Sequence, residues 1–361
     1  MKPVEVRKTM TAASRALHRS LSVNEWPYAD RSAWQEACRP SCRLKPGGHA
    51  SYLGEVSRED FARRYGAFLG FLQRTGKLDL EAGPAAKVTA ANVEDYITEL
   101  QQRVRTATVW NCIYKLRRAA ELLNPQGNYG WLLEIEGDLA LAIEPRSKFE
   151  RLVLSHHLVN AGLTLIAEAQ QFAKSDLARA KGIRNGLMIV ILALCVPRIK
   201  NFAALEIGRT FKQVNGSWWI VLPKSETKTK SPEERRIPQR FNNVIALYLD
   251  QSRPVLMKAG MPTNALWISS RTGLQFTKKN LGILISKTTL RTVGVDVSPH
   301  LFRTAAATTA AIHGADTPHL ASGVLGHKDP RVTEKHYILA TSIQAAKAYG
   351  EIIQQIRAAD S

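Results

Sequence analysis

Acidic residues are scarce in this chain. Against 50 lysines and arginines stand 31 aspartates and glutamates, giving a formal net charge of +19 and a pI of about 10.0. A stable fold needs no such excess, so the imbalance points to a partner, and polyanions are the usual one. Long apolar runs are missing too. The longest, Gly186 to Val196, is too short to cross a bilayer and reads as a buried helix, so no membrane partner is expected. Cysteine is rare: Cys38, Cys42, Cys112 and Cys195 make no disulfide framework in 361 residues. Cys38 and Cys42 beside His49 suggest zinc only weakly, because the four-residue step is unusual and a fourth ligand is missing; Cys112 and Cys195 read as core. There is no Walker-type glycine-rich loop and no acidic metal cluster, so neither a nucleotide nor a metal cofactor is expected. The opening MKPVEVRKTMTAASRALHRS lacks the apolar core of a secretory signal, which makes a cytoplasmic, nucleoid-associated location the expectation.

What is present is enough for two domains, with 45% hydrophobic residues to build their cores. Residues 1–50 mix basic residues with Pro40, Pro46, Gly47 and Gly48, show little periodicity, and read as a basic N-terminal arm. Residues 51–145 read as a helical domain. Phe61, Tyr65, Phe68, Leu69 and Leu72 recur at helical spacing up to Gly76, and a second helix carries Val93, Tyr96, Ile97 and Leu100 behind a Thr89 cap. A third helix, Thr106 to Leu123, sets Val109, Ile113, Leu116 and Ala120 on one face and Arg105, Lys115, Arg117 and Arg118 elsewhere. That charge fits an ordinary solvated face or a helix laid in a DNA groove. The NPQGNYG break and the connection around Pro145 end this domain.

Residues 146–361 change character after Glu206. Asn215-Gly216 is a hairpin signal between FKQV and SWWIVL, and a second turn separates SWWIVL from RRIP. The expected fold class is therefore mainly α with a small antiparallel sheet of about three strands, an α+β arrangement. From Val244 onward the pattern is mostly helical, ending in an amphipathic helix over Ile343 to Ile356.

Four pieces of this second part carry groups suited to phosphate chemistry. Arg198 follows the buried apolar helix directly. The turn KSETKTKSP offers Lys224, Lys228 and Lys230. In SPHLFR, Ser298 can cap and Pro299 can start a helix, so that His300 and Arg303, three apart, share a face. In LGHKDPRVTEKHY, His327 follows a glycine and Tyr337 comes ten positions later (337 − 327). Alone, each has a plain alternative: a surface arginine, a solvated lysine cluster, a half-buried tyrosine.

Together and in this order they resemble the catalytic domain of the tyrosine recombinase (phage integrase) family, and the bundle from about 55 to 135 is similar to that family's helical core-binding domain. The resemblance implies that Arg198, His300, Arg303 and His327 surround a scissile phosphate, that Tyr337 is the nucleophile, and that Lys228 is the hairpin lysine. Lys230 fits nearly as well when the spacing to Pro238 is weighed. Tyr349 is a poor substitute for Tyr337. Many relatives carry an acidic residue three positions after the first arginine, whereas this chain has Asn201. An amide can orient neighbours but brings no negative charge. The implied activity is cleavage and rejoining of double-stranded DNA through a 3′-phosphotyrosine, without ATP or metal, by a homotetramer on paired sites. A DNA-binding protein of the same fold without cleavage, and a type IB topoisomerase, are the alternatives.

Overall fold

The computed structural model describes residues 18–144, 149–227, 230–257 and 262–313, together with Gly323 and Leu325. The chain divides into two compact units, Met1–Arg146 and Ser147–Ser361.

The first unit is helical: α1 (Tyr28–Ala37), α2 (Glu55–Arg74), α3 (Ala90–Arg103), α4 (Thr106–Leu123) and α5 (Gly130–Leu141). The Thr89 hydroxyl accepts from the Asn92 N–H and caps α3, and Gly76, at φ 70°, follows α2 in the left-handed region. Residues 18–50 depart from the expected arm. Leu21, Trp26, Trp34, Ala37 and Ala50 are buried with the helices, and Trp26 sits edge-on to Tyr65 at 5.0 Å. Two tryptophans supply enough apolar surface to dock a short segment that has no long helical period.

The basic positions of α4 also depart from a free charged face. Arg117 is buried and forks onto Glu136 of α5 (Nε–Oε1 2.6 Å, Nη2–Oε2 3.1 Å), while Lys115 pairs with Asp60 and Arg118 with Glu121. Much of this charge is neutralised inside the unit, so the groove reading of α4 loses its main support.

The second unit is built around α7 (Asp176–Cys195), which is buried on nearly every side over its last ten residues because the sequence there is apolar all round. It packs against α6 (Ser155–Phe172) with glycine facing glycine. A methyl group placed on Gly186 would lie 2.5 Å from the Gly162 carbonyl oxygen, and one on Gly162 2.7 Å from that of Gly186. The short α8 (Ile199–Ala203) follows at once, then the antiparallel sheet β1 (Phe211–Val214), β2 (Ser217–Leu222) and β3 (Glu233–Arg236) in that order. Asn215 and Gly216 both take positive φ, 48° and 71°, as the tight hairpin requires.

The register pairs Ile220 with Arg235 and Leu222 with Glu233. Beyond the sheet run α9 (Asn242–Ala246), a π-helical turn (Leu247–Ser252), α10 (Arg253–Leu256), α11 (Lys278–Val293) and α12 (Pro299–His313). The stretch 262–277 interrupts the helical pattern expected after Val244. It forms single β-bridges, Glu206 with Ala265 and Ile268 with Gln275, and buries Trp267 against Phe202 at 5.0 Å and Tyr248 at 5.5 Å. The terminal helix expected over 343–356 lies outside the described residues.

Candidate active site

The site begins where α7 ends. Val196, the residue after the helix, takes φ 42° and ψ 42°, a left-handed conformation that a β-branched residue adopts only when its surroundings force it. Arg198 follows as the N-cap of α8, directly beyond the buried end of α7. The Val196 side chain is buried with Ala306, Ala307, Ala310 and Leu325.

Arg303 projects from the first turns of α12 into the same place. It is buried, its Nη1 donates to the Val196 carbonyl at 2.6 Å, and its Nη2 donates to the Leu325 carbonyl at 2.5 Å. One guanidinium thus ties the chain just before Arg198 to the chain two residues before His327. Burial is the main reason that Arg303 is pushed down to about 10, with further lowering from the neighbouring charges of Arg198 and Arg235 and partial relief from Glu233. The guanidinium stays charged at neutral pH. Its lowered value records the cost of crowding cations in a poorly hydrated place, a cost that an incoming anion would offset.

His300 precedes Arg303 by three residues on the same helix and is exposed. As expected, Pro299 opens the helix, and the Ser298 carbonyl accepts from the N–H groups of Leu301 and Phe302.

The sheet adds two residues that the sequence reading missed. Glu233 and Arg235, two apart on β3, turn to the face on which Ile220 and Leu222 of β2 are buried. Glu233 Oε1 accepts from Arg198 Nη1 at 2.6 Å, and Glu233 Oε2 lies 3.5 Å from Arg235 Nη2. The side chains of Arg198 and Glu233 are 23% and 8% exposed. The period-two placement of two charges on an otherwise apolar strand face was the available signal. It was hidden because the sequence reading began the strand at RRIP and left Glu233 in the turn, whereas β3 starts at Glu233.

The loop between β2 and β3 is pinned from within by Thr227. Its hydroxyl donates to the Ser231 carbonyl at 2.6 Å and accepts from the Ser231 N–H at 3.2 Å. Lys230 is exposed in this loop at φ 51°. Lys228, the preferred hairpin lysine, lies outside the described residues, as do His327 and Tyr337. Arg198, Arg303 and Glu233 therefore converge with Arg235, while Tyr337, the candidate nucleophile, and His327 lie outside the described residues.

A cluster of guanidiniums gathered from α8, α12 and a small sheet is the arrangement that a phosphate-cleaving recombinase would need, and comparison with known proteins agrees. The phage integrase family model matches residues 164–342, a span that contains every candidate site position from Arg198 to Tyr337. The chain is 30% identical over 225 residues to the tyrosine recombinase XerD of Pseudomonas putida, an alignment covering 61% of this chain and 70% of that protein. It is 28% identical over the same length to XerD of Pseudomonas aeruginosa, with the same coverage. The chain belongs to the tyrosine recombinase (phage integrase) family. Among solved structures, the XerH site-specific recombinase bound to palindromic difH substrate in a post-cleavage complex superposes with a TM-score of 0.55 at 13% identity, over 83% of this chain and 81% of that one. At that identity the likeness speaks for the fold, mainly helical with one small antiparallel sheet.

Proposed function

We propose that the chain is a site-specific DNA recombinase that cuts and rejoins strands through a covalent 3′-phosphotyrosine. The observation that carries this reading is the convergence of Arg198 and Arg303, from positions 105 residues apart (303 − 198), on one partly buried cationic site. Attack on a phosphodiester builds negative charge on the non-bridging oxygens, and planar guanidiniums grip those oxygens with paired hydrogen bonds.

In the proposed step the Tyr337 oxygen bonds to phosphorus and the bond from phosphorus to the 5′ oxygen breaks. The tyrosine proton passes to a base, for which His300 is the candidate, and the hairpin lysine, Lys228 or Lys230, gives a proton to the departing 5′ oxygen. His327 orients the phosphate and the nucleophile. The phosphotyrosine keeps the energy of the phosphodiester, so a 5′ hydroxyl from another strand reverses the step without ATP. Exchange between two duplexes would occupy four protomers. The match to DNA-bound recombinase structures supports duplex DNA as the partner, and the net charge of +19 agrees.

Asn201 favours a second reading, a DNA-binding protein of this fold that does not cut, because the acidic residue common at that position is missing. Incubation with a nicked suicide duplex decides between them. Wild type is expected to form an SDS-stable DNA adduct that Tyr337→Phe cannot form. Binding without adduct favours the second reading, and an adduct with Tyr337→Phe refutes the nucleophile assignment.

A further inference from the structure

Asn201 is only 6% exposed, and its amide nitrogen has no hydrogen-bond acceptor among the described residues. The carboxylate of this neighbourhood lies elsewhere, on Glu233. We propose that Glu233 is the positioning carboxylate of the active site, working from β3 in place of an acidic residue at 201: it holds the Arg198 guanidinium at the phosphate position and balances the repulsion among the clustered arginines. The proposal rests on the recombinase reading above.

Three observations support it. First, Glu233 is placed by the sheet. Its register partner Leu222 is buried, as is Ile237, which follows β3 four positions on and keeps the strand's alternation, so the carboxylate is held on the core side of β3 rather than in solvent as a surface glutamate is. Burying a carboxylate is costly, and an ion pair that served stability alone would gain little over apolar residues of similar size. Second, the charges need it. Arg198, Arg235 and Glu233 all lie close enough to act on the charge of Arg303, and Glu233 is the one among them that favours the charged guanidinium. Three cations and one carboxylate leave a net positive site, still suited to a phosphodiester with its single negative charge. Third, the contact leaves Arg198 able to work. Glu233 takes Nη1, whereas a guanidinium has five N–H donors in a fixed fork. Arg198 is also more exposed than Glu233, so the guanidinium is the more accessible partner of the pair.

A rival role for the same contact is competitive, with Glu233 occupying the position of the phosphate until DNA displaces it. The two roles predict opposite effects of removing the charge.

The test uses the full chain and a nicked suicide duplex carrying a binding site selected from a random-sequence pool, with single-turnover adduct formation and duplex affinity measured separately. Glu233→Gln is expected to slow adduct formation by about 10- to 100-fold, the scale of a misplaced catalytic group, with little change in duplex affinity. Adding Asn201→Asp to that variant is expected to restore most of the rate, because it returns a carboxylate to the neighbourhood from α8; a purely structural role for Glu233 predicts no such rescue. Glu233→Asp keeps the charge but draws it back by one methylene, and an intermediate rate is expected, so the test survives if the Gln variant does not fold. Wild-type or faster cleavage by Glu233→Gln or Glu233→Asp, or no gain from Asn201→Asp, overturns the proposal. Failure of wild type itself to form an adduct brings down the recombinase reading instead, and this inference with it.

Discussion

The Arg303 guanidinium holds the carbonyl of Val196, a residue standing in the left-handed region at φ 42°, through a 2.6 Å hydrogen bond. A strained turn is therefore fastened by an arginine assigned to the phosphate site, and the same arginine holds Leu325 through its other terminal nitrogen. Position and charge come from one side chain.

Replacing that side chain with another cation separates the two. Arg303→Lys keeps the charge but offers a single ammonium in place of the fork, so it cannot serve both carbonyls and a phosphate. Single-turnover cleavage is expected to fall about 10²- to 10³-fold, the usual effect of losing a donor to a developing oxyanion. Leaving one buried carbonyl unpaired is expected to cost about 1–3 kcal/mol in urea unfolding. Cleavage at the wild-type rate would remove Arg303 from the phosphate site.

The depressed proton affinity of Arg303 gives a second prediction, with a definite sign. Its folded value of about 10 lies below that of a free guanidinium, so between these two values the unfolded chain holds more protons and this group's contribution to stability rises with pH. Below about 10 the penalty is complete and flat. An anion at the site relieves it at neutral pH. The melting temperature at pH 7.5 is expected to rise when sodium chloride is replaced by sodium sulfate at equal ionic strength, and to rise less in Arg303→Gln. Equal shifts in the two proteins would mean that sulfate acts on the surface in general.

Lys228 and Lys230 can be separated by chemistry. A lysine that protonates the departing 5′ oxygen is unnecessary when that oxygen is replaced by sulfur, because a thiolate leaves without a proton. Lys228→Ala is expected to slow cleavage of the ordinary duplex by about 10²- to 10⁴-fold and to regain most of the loss on the 5′-thio duplex, whereas Lys230→Ala is expected to change both substrates little. The reverse pattern moves the assignment to Lys230.

How much of this site was legible in the sequence depended on how local its signals are. Ser298 and Pro299 mark a helix start ahead of His300 and Arg303, and the structure has that helix at Pro299–His313, with His300 exposed and Arg303 buried. Asn215-Gly216 likewise specified its hairpin through two residues tolerant of positive φ. Glu233 and Arg235 were not legible, since their meaning comes from cross-strand partners that a four-residue polar run does not reveal. Residues 18–50 were misjudged for a related reason: Trp26 and Trp34 pack edge-on to each other at 5.9 Å and are buried with residues of later helices, contacts that a short basic stretch does not announce. Arg117 looked like free charge because its partner Glu136 lies on another helix.

The glycine pair at Gly162 and Gly186 makes α7 a lever with a fixed fulcrum. Any bulkier residue there must push α6 and α7 apart, because backbone oxygens stand 2.5 and 2.7 Å from where its β-carbon would sit. Cys195 lies nine residues beyond Gly186 (195 − 186), about 13.5 Å along the axis, so a tilt of only about 4° would carry the helix end sideways by about 1 Å. Arg198 rides on that end. The aim proposed for it, at a phosphate, would therefore be set partly by two missing side chains in mid-helix, where an alanine is expected to slow cleavage while touching none of the proposed chemistry.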